Sequence, residues 1–420
     1  MKKFIKPGII SLAVLTGIGI GYVTYLFNAY KPNPIAFTPV ATDEEYFGSS
    51  YQECRNQFRT EADTIFNLIK GVTVSWVTVD SQIDSDLTID YCYIPAQKNF
   101  KRLLILTSGI HGVEGYAGSA VQQMFLHEIV PKIDLEEMGI LVIHSINPYG
   151  FKYQRRVTEN NIDLNRNCNA GPEGFESQNK GYDALNFWLN QKKPLLLTEI
   201  HHFFFPLYAI QKVFKYSLKT MRQSILQGQY QHEKGIFFGG KTREPAVQLL
   251  TPLVQEIAEG YEMVFSIDLH TGYGANGTLH LFSEPLKDAP KRAKIETIFK
   301  GFHLDWGDTD DFYTVSGDFL FYQGQVLRPK EYLPIVFEFG TLDTQTILGA
   351  MKALHNLMIE NQGVHYGYAT NKDETAAKNR FMEGYCPASA AWRSKAIHDA
   401  RILLQHAVKN YQKVDAVQQN

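Results

Sequence analysis

Leu103-Leu104-Ile105-Leu106-Thr107-Ser108-Gly109-Ile110-His111-Gly112-Val113-Glu114-Gly115 joins a short, apolar run to a glycine-rich turn that carries an imidazole and a carboxylate three residues apart. Such a run suits a strand buried on both faces of a largely parallel sheet, because that strand has no solvent-facing side towards which to alternate. The turn after it falls where ligands collect in open α/β sheets, outside the carboxyl ends of the strands. Imidazole and carboxylate both ligate zinc. Taken alone, however, a histidine and a glutamate at this spacing read equally well as an ordinary polar loop.

Working outward, apolar runs of the same kind recur at residues 140–143, 195–199, 263–269 and 335–339. Residues 118–128 between the first two runs have helical character, which gives a β-α-β rhythm. Two β-rich stretches precede them, at 72–79 and 87–94, and a helical pattern covers 46–70. Residues 344–411 read as helices interrupted near Gly363 and Pro387. Strands separated by helices imply an α/β fold with a mixed, mostly parallel twisted sheet and helices on both faces.

The chain has 420 residues, which alone suggests about three domain-equivalents. No internal linker or repeat divides it, so one large catalytic domain over 46–420 is the better expectation. Lys and Arg total 41 against 44 Asp and Glu, a net charge of −3, and nucleic-acid binding normally needs a basic excess. Lys2, Lys3 and Lys6 precede an uncharged stretch over 7–30, long enough for a spanning helix. Residues 1–30 are therefore expected to be a single transmembrane anchor and the proline-containing 31–45 a linker. The positive-inside rule then places the catalytic domain on the outer side, periplasmic or extracellular. The alternative is a cleaved signal and a secreted enzyme. Cys54, Cys92, Cys168 and Cys386 have no CxxC spacing, so bridges and buried free thiols both remain open.

Three further clusters complete the chemistry. Ser266-Ile267-Asp268-Leu269-His270-Thr271-Gly272 again ends an apolar run. His270 there can join His111 and Glu114 in a three-ligand zinc site with one position left open, and Asp268 can orient it. Asn147-Pro148-Tyr149-Gly150 leads to Arg155-Arg156 and Asp163-Leu164-Asn165-Arg166-Asn167, where planar guanidinium forks suit carboxylates and oxyanions. Glu338, in Ile335-Val336-Phe337-Glu338-Phe339-Gly340-Thr341, is a carboxylate in an apolar strand and a candidate general base.

HGVEG, NPYGF with RR and DLNRN, DLHTG and EFGT, in that order, resemble the zinc carboxypeptidase (M14) superfamily, most nearly its DUF2817 branch. The resemblance spans roughly residues 50–365 and implies the carboxypeptidase-like form of the α/β fold. It also implies that His111, Glu114 and His270 hold one zinc ion and that Glu338 is the general base. By the same resemblance, Arg155, or Arg156 beside it, holds the oxyanion, Asn165 and Arg166 hold the substrate's terminal carboxylate, and Tyr313 closes over the substrate.

Glu114 and His270 stand 156 residues apart, farther than in a plain carboxypeptidase, which points to an insertion at about 175–250. That region includes His201 and His202, rival ligands to His270. The expected activity is zinc-dependent hydrolysis of an amide next to a free carboxylate, on a peptide. An N-acyl amino acid deacylase of the aspartoacylase and succinylglutamate desuccinylase type is the alternative enzyme. A membrane-tethered, non-catalytic binding module is the alternative from another class.

Overall fold

The structure is a computed structural model that describes residues 7–283, 286, 288–307, 315–328 and 330–415. Its centre is one eight-stranded sheet in the order β1-β2-β4-β3-β5-β8-β6-β7. The strands are β1 (Thr73–Thr78), β2 (Thr88–Ile94), β3 (Arg102–Ser108), β4 (Met138–His144), β5 (Met263–Thr271), β6 (Leu279–Phe282), β7 (Leu304–Asp305) and β8 (Glu331–Phe339). β4, β3, β5 and β8 run parallel as neighbours, whereas β2 and β6 flank them antiparallel. The mixed, mostly parallel sheet expected from the apolar runs is thus present.

Every residue of β3, β4 and β5 is buried. Leu104, Leu106, Phe265 and Ile267 pack on one face with Phe58, Ile397 and Leu404. Leu103, Ile105, Leu141 and Val264 pack on the other with Val247, Leu250 and Phe319. The period-two geometry of a strand sends alternate side chains to opposite faces, so two apolar layers require a continuous apolar run. A third cluster joins Tyr182, Trp188, Phe205, Ile225 and Phe237 from the helix-rich segment between β4 and β5 to Leu357 and Phe381.

Two expectations fail. Residues 195–199 do not form a strand: Leu195 makes a single bridge to Tyr368 and is buried with Ile359 and Ala377, away from the sheet. The three leucines Leu195–Leu197 fit a small satellite core as well as they fit a strand. The transmembrane helix expected within residues 1–30 is also overturned, for among the described residues no helix is long and apolar enough to cross a membrane. The helix Pro7–Asn28 instead ends docked on the protein. Thr24 and Phe27 are buried, the Phe27 ring lies 5.4 Å from that of Phe205, and the Phe27 carbonyl accepts from Lys352 Nζ at 3.3 Å. Its last apolar turn belongs to the protein core. The membrane attachment and outer-side placement inferred from that helix fall with it. Residues 31–45 are likewise tied down, with Asn33 N–H donating to Asp343 at 2.6 Å and Asp43 accepting from Arg401 at 2.8 Å.

All four cysteines are free and buried. His144 is buried as well, stacked on Phe58 and 3.0 Å from Ser119 Oγ, and burial pushes its imidazole down to about 3. The neutral form is therefore the folded form. Stability is complete above the ordinary histidine value of 6.5 and is lost as pH falls through the window below it. His144→Gln, which keeps a partner for Ser119 but cannot titrate there, should lose about 2 kcal/mol less than the wild type between pH 7 and pH 5. Urea denaturation at both pH values measures this, and equal losses would refute it.

Candidate metal centre

The site forms where the carboxyl ends of β3, β5 and β8 meet. After β3 the chain turns through His111 into the 3-10 turn Gly112–Glu114, and Gly112 is required there: a Cβ would stand 2.1 Å from the Gly150 carbonyl carbon. This close approach brings the Asn147–Gly150 turn against the first motif. It also lets Gly112 and Val113 N–H donate to the Arg156 and Arg155 carbonyls at 3.1 and 2.8 Å.

Glu114 lies buried between two imidazoles. Its Oε1 is 2.8 Å from His111 Nδ1, and its Oε2 is 3.1 Å from His270 Nδ1 and accepts from Thr271 N–H at 3.0 Å. The three donor groups lie within 4.8 Å of one another. Burial alone would raise the Glu114 carboxyl, but His111 and His270 outweigh it and hold the group well below the usual carboxylate range. Each imidazole turns its other nitrogen to an acid: His111 Nε2 is 3.1 Å from Asp163, and His270 Nε2 is 2.7 Å from Asp268. A nitrogen-oxygen-nitrogen donor set with a carboxylate behind each histidine fits zinc.

Glu338 sits on β8 directly beside His270 in the parallel register, with Tyr273 N–H donating to it at 2.9 Å. Burial pushes its carboxyl up to about 7; His270 pulls it down and Glu114 adds to the rise. A carboxylate poised near neutrality suits proton transfer.

The two neighbouring arginines part company. Arg155 points away, paired with Glu360 at 2.8 Å. Arg156 faces the centre, donating to Asp163 Oδ2 at 2.9 Å and lying 3.4 Å from Glu114 Oε1 and 2.6 Å from His111 Nε2. Asp163 thereby serves His111, Arg156 and, as the cap of the turn Leu164–Arg166, Asn165 N–H. Its carboxyl is held well below the ordinary value by Arg156 and His111, against burial.

Asn165 Oδ1 accepts from Phe319 N–H at 2.8 Å. Arg166 is buried; its Nε and Nη2 donate to the Leu226 carbonyl at 2.9 and 2.6 Å, and its Nη1 to the Asn165 carbonyl at 2.8 Å. Phe237 lies between the two guanidiniums, 5.3 Å from Arg156 and 5.6 Å from Arg166. Its backbone φ of +56° is uncommon for a bulky residue and marks strain at this wall. His201 and His202 are not brought to the centre: His202 Nδ1 is 3.3 Å from His355 Nε2, in the aromatic cluster around Phe205. Tyr313 lies outside the described residues.

A family model described as "Protein of unknown function (DUF2817)" matches residues 47–399. The chain belongs to that family. No curated protein matches this DUF2817 chain. Among solved structures it is similar to bovine thrombin-activatable fibrinolysis inhibitor at 12% identity, over 76% of this chain and 98% of that one, with a TM-score of 0.44. It is also similar to carboxypeptidase A of Helicoverpa armigera, at 13% identity over 80% and 74% of the two chains, TM-score 0.41. Murein-tripeptide amidase MpaA of Escherichia coli O157 shares 14% identity over 69% and 92%, TM-score 0.33.

Sequence reading named Asp163 within its motif without giving it a task, and it missed Phe237. The signal for Asp163 was available: an acid heading a motif that also supplies an amide and an arginine. Asp268→Asn should weaken zinc binding by about 10- to 100-fold in competition with a chelator. Arg155→Gln should instead destabilise the fold by about 3–5 kcal/mol, by stranding Glu360, and leave zinc affinity within a few-fold. A tenfold loss of zinc affinity in Arg155→Gln would return that residue to the centre.

Proposed function

We propose that the chain is a zinc-dependent hydrolase of the metallocarboxypeptidase type, cleaving an amide bond next to a free carboxylate. The observation that carries this reading is the convergence of His111, Glu114 and His270 beside a half-buried Glu338 and an inward-facing Arg156. When bound, the zinc ion supplies Lewis acidity towards the scissile carbonyl and makes water a stronger acid.

The remaining work falls to this chain's own groups. Glu338 Oε takes a proton from the attacking water and returns it to the leaving amine, a role that matches its raised carboxyl. Asp163 and Asp268 hold the outer nitrogens of His111 and His270, so both Nδ1 atoms stay directed at the centre. A His111 Nε2 that keeps its proton for Asp163 cannot also accept from Arg156. Arg156 then remains tied through Asp163 and turns its Nη atoms to the developing oxyanion, where a charged donor acts most strongly. Of the two arginines the resemblance leaves open, Arg156 is the one assigned here.

The substrate carboxylate is assigned to the Asn165 side-chain amide, with Arg166 joining by exchanging the Leu226 carbonyl for it. This exchange links substrate binding to the segment that bears Phe237.

Glu338→Gln should lower turnover by about 10²–10⁴-fold and leave zinc stoichiometry unchanged. Mass spectrometry on a mixed library of peptides and N-acyl amino acids, with metal analysis of both proteins, measures this. Full activity in the variant would remove Glu338 as the base, and cleavage confined to N-acyl amino acids would favour the deacylase reading.

A further inference from the structure

Tyr385 belongs to none of the four motifs, yet two of them hold it. It follows the helix Asn371–Glu383, and its N–H donates to the Met382 carbonyl at 3.0 Å. Thr341, three residues beyond Glu338, donates its Oγ1 proton to the Gly384 carbonyl at 2.7 Å. Gly272, two residues beyond His270, lies under the Tyr385 ring. A Cβ there would stand 3.3 Å from the ring edge, and the residue's φ of +121° also favours glycine. Phe381 packs on the same ring at 5.0 Å between centroids. The strand ends that present His270 and Glu338 therefore also fix this phenol.

The ring thus lies over the strand end that presents His270, and its side chain interacts with Arg156. A phenol of ordinary acidity carries its proton at neutral pH. Arginine has only donors, and a phenol oxygen beside it can only accept from it. The Tyr385 hydroxyl keeps its own proton to donate, and an oxyanion formed beside Arg156 is an acceptor for it.

We propose that Tyr385 is a catalytic residue of the hydrolysis proposed above. With Arg156, it donates a hydrogen bond to the oxygen of the scissile carbonyl as that oxygen takes up negative charge. No proton is transferred and no bond to Tyr385 is formed. The proposal rests on the reading of the site as an amide hydrolase, and it supplies an oxyanion donor from the far end of the chain, outside the motifs that carry the resemblance.

Tyr385→Phe in the full-length, zinc-loaded protein tests it, because the ring keeps its packing on Gly272 and Phe381. With the best library substrate, kcat should fall about 30- to 100-fold and KM change less than threefold. By calorimetry, affinity for a phosphinate pseudodipeptide, whose tetrahedral oxyanion resembles the charged state, should fall about tenfold or more. Acetate, a planar carboxylate, should bind equally well to both proteins, and the melting temperature should not move. Unchanged kcat and phosphinate affinity would overturn the proposal, as would losses that track a lowered melting temperature. Glu338→Gln run in parallel separates the two levels. If it is inactive while Tyr385→Phe is fully active, only the role of Tyr385 fails. If it hydrolyses at the wild-type rate, Glu338 is not the base, and the reading of the site on which this proposal rests fails first.

Discussion

Glu114 is an ionised carboxylate with almost no exposure, and a buried charge persists only where partners compensate for lost water. Its partners are His111 from the same turn, and His270 and Thr271 from the end of β5. The β3–β5 ladder, which pairs Ser108 with Leu269, sets the distance between these two sources. A slip of one residue would send His270 to the opposite face of the sheet. Glu114 would then lose half of its compensation. The register of the central parallel strands and the electrostatics of the centre are one constraint seen from two sides.

A second carboxylate extends that constraint outward. Asp163 holds His111 and Arg156 and caps its own short turn, and its N–H donates to the Phe238 carbonyl at 2.8 Å. That bond ties the centre to the segment between β4 and β5. The same segment places Phe237 between Arg156 and Arg166 and occupies Arg166 with the Leu226 carbonyl. Strain stored at Phe237 is consistent with a wall held in place by its surroundings.

The parts of the fold that could be read from the sequence were those in which one physical rule acted alone. A strand covered on both faces is apolar over most of its length, so β3, β4 and β5 stood out; β8 showed through its apolar stretch 335–339, although it alternates buried and half-buried residues. Residues 195–197 are apolar as well, but only Leu195 is buried, against Ile359 and Ala377, and composition cannot name the surface that does the covering. The same ambiguity affected the helix Pro7–Asn28, whose apolar last turn reads as membrane-seeking until Phe27 is seen against Phe205. His201 and His202 drew attention as possible ligands because nothing local distinguishes a core histidine from a metal-binding one.

By itself, the sequence determined the parallel core, the order of the motifs and the identity of the three candidate ligands with Glu338. The core strands follow from residue type and strand period, which are local, whereas the three ligands and Glu338 follow from the resemblance that the ordered motifs carry. Tertiary structure alone decided between Arg155 and Arg156. Adjacent residues diverge in direction, and only the positions of Glu360 and Asp163 show which guanidinium is drawn inward. It alone also gave Asp163 its three partners and set the Tyr385 ring on Gly272, two residues beyond His270. Those contacts join residues far apart in the chain, and their energies exist only once the sheet has set the distances.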